Sequence, residues 1–340
     1  MHPADLCHEA IIKNTKPILA YDETKDFETW REQVREKLAE LLGDMPKERC
    51  DLDIRVEWEK EHDTFYEKRM VFCSEENVDI PCHLWVPKGV KLPCPVVICL
   101  QGHTTGMHIS MGRAIYPPDA EHISGGDRDL AVQAINNGYA ALTMELRGFG
   151  ELKSKAQMEI FPKAESTCAH AAMTANLVGR TLIGERAWDI SRAVDLLETM
   201  PETINAKKIL LTGNSGGGTA TYYAACIDDR ITMALPSCSV CSYKSSIVWR
   251  RHCPCNYIPN IAKYLDMGEL ACLIAPRPLV LVAGVQDWGF HIDGTREVAE
   301  VARKIYERVG AADNFRLIEG PEGHRYYASL SWPVVHEMFD

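Results

Sequence analysis

Lys208-Ile209-Leu210-Leu211-Thr212-Gly213-Asn214-Ser215-Gly216-Gly217-Gly218-Thr219-Ala220 is the stretch whose reading decides the fold. A short apolar run leads into Gly-x-Ser-x-Gly, and a small, helix-tolerant segment continues to Cys226. Strand, sharp turn and helix form the setting of a nucleophile elbow. There the serine takes a strained backbone conformation, and the flanking glycines leave the space a Cβ would fill. The bare pentapeptide also fits a glycine-rich βα turn with an idle serine. The rest of the chain has to choose between the two.

Outward from the elbow, strands alternate with helices. Pro95-Val96-Val97-Ile98-Cys99-Leu100 is continuously apolar, as a strand buried on both faces should be. A helix over 127–137 leads to a strand at 139–144, and a helix over 185–200 leads to the elbow strand. Further strands follow at 231–235, 278–283 and 314–318, with a helix over 293–309 and another closing the chain. This order predicts an α/β fold with a mostly parallel sheet covered by helices on both faces. Before Pro95 the period changes. Segments 54–58, 65–72 and 78–86 alternate and read as an antiparallel meander exposed on one face. Phe27, Trp30, Val34, Leu38, Leu41 and Leu42 recur at three- and four-residue intervals, an amphipathic helix over 26–43 that Gly43 ends. The expected organisation is an N-terminal helical extension, 1–46, and one catalytic domain, 47–340. Two long segments break the alternation, 101–126 and 236–270, the latter carrying Trp249 and the basic pair Arg250-Arg251. Loops of that length in a compact domain are usually functional or disordered, and these leave the C-terminal ends of parallel strands, where open α/β sheets build their sites.

A net charge of −11 argues against nucleic acid or an anionic membrane as partner. No apolar run approaches the ~20 residues that span a bilayer. The first residues lack a basic segment followed by an apolar one, so no secretory signal is read. Thirteen scattered cysteines suit reduced thiols packed as small hydrophobes, and the expected location is cytoplasmic. Cys238-x-x-Cys241 and His252-Cys253-Pro254-Cys255 offer soft metal ligands. The Cys-x-Cys spacing is poor for a closed tetrahedral site, however, and no second Cys-x-x-Cys follows, so packed thiols and no metal are expected.

A serine hydroxyl is a weak nucleophile unless a base takes its proton, and that base needs a group to hold its tautomer. In the elbow architecture the order is serine, acid, histidine, each after a successive strand. Asp287 follows the strand at 278–283, and His324 follows the strand at 314–318. The gaps, 72 residues from Ser215 and 37 more, leave room for a strand and a helix each. Alone, Asp287 fits an Asx turn and His324 an exposed loop histidine. Their order behind an elbow favours acid and base. Asp293 is a rival acid placed where a helix N-cap belongs, and His291 has no strand between it and Asp287. An oxyanion hole needs two backbone N–H donors. Gly216 supplies one, and the loop after the first parallel strand supplies the other at His103, beside Gly102. Gln101, His108 and Trp288 are the candidates for substrate contact, with the His103 imidazole as an alternative. Arg147, Asp189 and Arg192 read as scaffold ion pairs.

Leu100-Gln101-Gly102-His103, Leu146-Arg147-Gly148-Phe149-Gly150, the 179–184 segment Gly-Arg-Thr-Leu-Ile-Gly, Trp188-Asp189, the elbow, Ile274-Ala275-Pro276-Arg277-Pro278 and the 319–324 segment Glu-Gly-Pro-Glu-Gly-His together resemble α/β-hydrolases. The set is most similar to the acetyl xylan esterase-like branch, related to the cephalosporin-C deacetylases and dienelactone hydrolases. The resemblance covers roughly residues 50–335. It implies Ser215 as nucleophile, Asp287 as acid and His324 as base of an ester hydrolase that needs no cofactor. Its expected substrate is a small or oligomeric acetylated carbohydrate. Such proteins often assemble, so the resemblance allows a homo-oligomer. Gln101, His103 and Glu145 depart from the residues common in that branch, which bears on substrate rather than on the triad. Two other classes stay open. A peptidase of the prolyl-oligopeptidase type would normally bring a propeller, for which no repeat exists here. A non-catalytic binding protein on the same fold would not need the triad candidates.

Overall fold

The computed structural model describes residues 5–340. Its centre is a nine-stranded sheet, β1 (Arg55–Glu61), β2 (Phe65–Glu75), β3 (Val78–Pro87), β4 (Cys94–Leu100), β5 (Ala140–Met144), β6 (Ile204–Asn214), β7 (Met233–Ser237), β8 (Leu279–Gly284) and β9 (Phe315–Gly320). The spatial order is β1-β2-β3-β5-β4-β6-β7-β8-β9. The first three strands and β5 pair antiparallel, and every pair from β5–β4 to β8–β9 is parallel.

Alternation along β4 shows how the two faces are filled, since successive side chains leave a strand on opposite sides. Val96, Ile98 and Leu100 join a cluster with Ile190 and Val194 of the helix Leu182–Glu198 and Tyr222 of the helix Gly216–Ile227. Val97 and Cys99 join a second cluster with Ala134 of the helix Leu130–Asn136 and Trp332 of the helix Ala328–Phe339. Trp30, Val34 and Leu38 of the helix Phe27–Leu42 pack into the first cluster. Asp26 caps that helix by accepting from Thr29 N, and Gly43 follows it at φ 101°.

The opening meander is not uniformly one-sided. Every residue of β1 is exposed, whereas Ile80 to Trp85 of β3 are all buried. The cause is position: β1 is the edge, and β3 lies between β2 and β5 with both faces covered. The charged residues of β1 guard an edge that would otherwise invite pairing with another chain. Helix boundaries moved by a few residues. The expected 127–137 helix spans only Leu130–Asn136, and the 293–309 helix begins at Ile292 with His291, not Asp293, as its N-cap. No helix among the described residues is long and apolar enough to cross a membrane.

Candidate active site

Parallel register brings the site together. Leu100 at the end of β4 is level with Gly213 of β6, so the chain after Leu100 emerges beside Ser215. Gly284 of β8 is level with Gly320 of β9, so the loops carrying Asp287 and His324 leave the sheet side by side. Ser215 has φ 58° and ψ −123°, the strained conformation expected of an elbow. The turn is as tight as the glycines allow. A Cβ on Gly213 would stand 2.5 Å from Gly217 C, and one on Gly217 would stand 2.5 Å from the Leu100 and Gln101 carbonyl oxygens.

His324 Nδ1 lies 2.7 Å from Asp287 Oδ2, while Asp287 Oδ1 accepts from Gly289 N at 2.8 Å and Phe290 N at 3.2 Å. Burial pushes the Asp287 carboxyl up, but His324 and the two backbone donors outweigh it and hold it below the usual range. The Phe290 ring stacks on the imidazole, with centroids 5.9 Å apart and planes 13° from parallel. Ser215 and His324 line one cavity of about 260 Å³ together with His103, Arg128, His252 and Trp288. No hydrogen bond joins Ser215 to His324 among the described residues, and in substrate-free enzymes that contact commonly tightens only when substrate binds.

Both candidate oxyanion donors belong to segments that meet at the elbow. Gly216 opens its helix, so its N–H has no intrahelical acceptor. Gly102 lies so close that an added Cβ would meet Asn214 O at 2.8 Å and Ser215 Cβ at 3.1 Å. This close approach keeps the loop that carries His103 beside the elbow. The His103 ring does not point to substrate alone. Its Nε2 lies 3.1 Å from Cys255 Sγ and 3.7 Å from Cys168 Sγ.

The expected substrate contacts divide. Trp288 borders the cavity, is 61% exposed and has the Arg250 guanidinium 4.0 Å above its ring. Gln101 is buried and donates to Glu145 Oε1 at 2.9 Å, so it belongs to the scaffold. His108 is held by Asp119 Oδ2 at 3.0 Å and Thr105 Oγ1 at 2.9 Å, away from the cavity lining. Buried acids captured both side chains, which sequence spacing does not reveal. Glu145 accepts from Gln101 and from the Met107 and Glu151 backbone N–H groups, and burial pushes its carboxyl up to about 8. Arg147 binds Asp189 through Nε at 2.8 Å and Glu75 at 2.7 Å, and Arg192 pairs with Asp195, scaffold ion pairs as expected.

Arg128 and Phe290 went unnoticed in the sequence, and His252 was noticed only as a soft metal ligand, not as part of the cavity lining. Phe290 stands three residues after Asp287 in the same loop and could have been suspected on that ground. Arg128 reaches in from ahead of the helix Leu130–Asn136 and donates to the His324 carbonyl at 3.2 Å; no local pattern marks it. The soft-ligand residues group differently from their order in the sequence. Cys238 lies with Asp287 and His324, whereas Cys253 and Cys255 meet His103 and the distant Cys168.

Residues 5–319 match the model of a family described as the Abhydrolase family. The Bacillus subtilis protein named "Putative hydrolase YtaP" is 26% identical over 297 residues, covering 86% of this chain and 94% of that protein. Among solved structures, a "putative acetyl xylan esterase" from Bacteroides fragilis superposes with a TM-score of 0.80 at 16% identity, covering 99% of this chain and 95% of that one. A glucuronoyl esterase from Solibacter usitatus gives 0.69 at 17% identity, covering 96% and 98%.

Proposed function

The chain belongs to the Abhydrolase family, and on that premise we propose that it is a serine carboxylic ester hydrolase acting on small or oligomeric carbohydrate-type esters. The observation that carries this reading is the convergence of Ser215 and the His324–Asp287 pair on one cavity. His324 takes the Ser215 proton as the hydroxyl attacks the ester carbonyl. Asp287 holds the imidazole with Nδ1 protonated, leaving Nε2 as the base, and stabilises the imidazolium that forms. The N–H groups of Gly216 and His103 receive the developing oxyanion. Collapse of the tetrahedral intermediate expels the alcohol, which takes its proton from His324, and leaves an acyl-serine. Water then repeats the cycle and releases the acid.

Acetyl esters are the first substrate reading, in keeping with the Bacteroides fragilis neighbour's name. A second reading, esters of sugar acids, is favoured by the cationic lining. Arg128 and Arg251 both border the cavity, where a carboxylated sugar would find guanidinium partners. It also accords with the name of the Solibacter usitatus neighbour. All thirteen cysteines are unpaired, which supports a reducing compartment.

Ser215→Ala should lower kcat on p-nitrophenyl acetate by about 10⁴–10⁶-fold. Unchanged turnover would remove the assignment. A panel of acetylated xylo-oligosaccharides and methyl glucuronate then separates the two substrate readings by kcat/KM.

A further inference from the structure

Three segments far apart in sequence meet beside the candidate oxyanion hole. His103 lies in the loop after β4, Cys168 opens the helix Cys168–Leu177, and Cys253 and Cys255 flank Pro254 in the long segment between β7 and β8. His103 Nε2 and the three Sγ atoms all lie within 4.8 Å of one another. Individual separations are 3.1 Å from Nε2 to Cys255 Sγ, 3.7 Å from Nε2 to Cys168 Sγ, and 3.3 Å between the sulfurs of Cys168 and Cys253. A tetrahedron around zinc, with Zn–S about 2.3 Å and Zn–N about 2.0–2.1 Å, has ligand–ligand edges of about 3.6–3.8 Å. The four atoms therefore stand close to the corners such an ion requires.

Charge gives an independent argument. Arg186 is fully buried; its guanidinium lies 4.8 Å from the centroid of the Phe149 ring, and its only hydrogen bonds are to the Arg147 carbonyl at 2.6 Å and Cys168 Sγ at 3.1 Å. Its Nε and other terminal nitrogen have no hydrogen-bond partner, and among the described residues the nearby carboxylates Glu75, Glu185 and Asp189 pair with Arg147 rather than with Arg186. A buried guanidinium needs an anion, and three neutral thiols do not provide one. Three thiolates and one neutral imidazole on a divalent ion carry a net charge of minus one, which Arg186 balances.

We propose that His103, Cys168, Cys253 and Cys255 form a tetrahedral structural zinc site that ties the oxyanion loop to the long segment after β7. Four protein ligands leave no open position for water, so the ion would act as a clamp rather than in the chemistry. Its position gives the clamp a purpose. The His103 ring rests against the elbow, with Nδ1 2.6 Å from where a Cβ on Gly216 would stand, and His103 and Cys253 both border the cavity. Soft thiolates favour zinc over harder divalent ions such as magnesium or calcium.

The test reads metal rather than turnover, so it stands or falls apart from the esterase reading. Full-length protein grown with zinc and freed of loosely bound metal by gel filtration should hold about one zinc per chain by elemental analysis. The C253S/C255S double variant should hold none. Cobalt substituted into the wild-type protein should give the intense visible bands of a tetrahedral site and near-ultraviolet thiolate charge transfer, which decides the matter even if the double variant does not fold. Substoichiometric zinc, zinc retained by the double variant, a pale octahedral cobalt spectrum, or a Cys168–Cys253 disulfide in peptide maps of the isolated protein would each overturn the proposal.

Discussion

The two groups of loops around the candidate catalytic cavity are held by different means. Ser215 directly follows β6, and Asp287 and His324 lie three and four residues beyond β8 and β9. Strand pairing settles these positions: register aligns the strand ends, and short turns have little freedom left. The loop bearing His103 and the segment bearing His252, Cys253 and Cys255 are long and contribute no strand to the sheet. Side chains fasten them: Glu145, just after β5, holds the His103 loop through Gln101 and Met107, and the His–Cys cluster joins that loop to the segment bearing Cys253 and Cys255. Groups at strand ends are placed by the backbone, whereas groups on long loops depend on a few buried polar contacts.

The comparison can be broken at either group. The largest effect is expected at a strand end. Asp287→Asn leaves the turn intact but removes the anion that orients His324, and kcat should fall by about 10⁴-fold. A loss below tenfold on p-nitrophenyl acetate would show that another group holds the base. Gly102→Ala comes next, because its Cβ would stand 2.8 Å from Asn214 O and has to push the oxyanion loop outward. The loss should resemble that of one oxyanion donor, about 10²–10³-fold in kcat with KM little changed. An effect on KM alone would make this loop a substrate-binding element instead.

The smallest effect is a matter of pH and concerns Glu145, the buried fastener of the long loop. Its carboxyl is raised from 4.5 to about 8, so the folded protein keeps a proton that the unfolded chain loses. The stability it contributes is complete below the unfolded value and declines as pH rises toward the folded one. The slope is at most about 1.4 kcal/mol per pH unit. Glu145→Gln should flatten the urea-derived stability profile over this interval relative to the parent. An unchanged slope would mean that Glu145 is ionised in the fold.

Much of this was legible in the chain because it rests on local chemistry. The elbow is readable since Gly213 and Gly217 are demanded by a turn that leaves no room for a Cβ. The strands β4, β6 and β8 are readable because burial on both faces requires unbroken apolar runs. β3 was misjudged in its exposure, since whether a strand is an edge or an interior member is a property of the sheet. Gln101 and His108 looked available for substrate because their buried acceptors, Glu145 and Asp119, lie 44 and 11 residues away.

The sequence alone determined the α/β alternation, the elbow and the order of serine, acid and histidine, because each is written in contiguous residues or in spacings along one chain. Only the tertiary structure decided which side chains line the cavity and which cysteines meet. Cys253 and Cys255 are 85 and 87 residues from Cys168 and farther still from His103. A contact across such distances is specified by how loops pack over the sheet, and no local pattern records it.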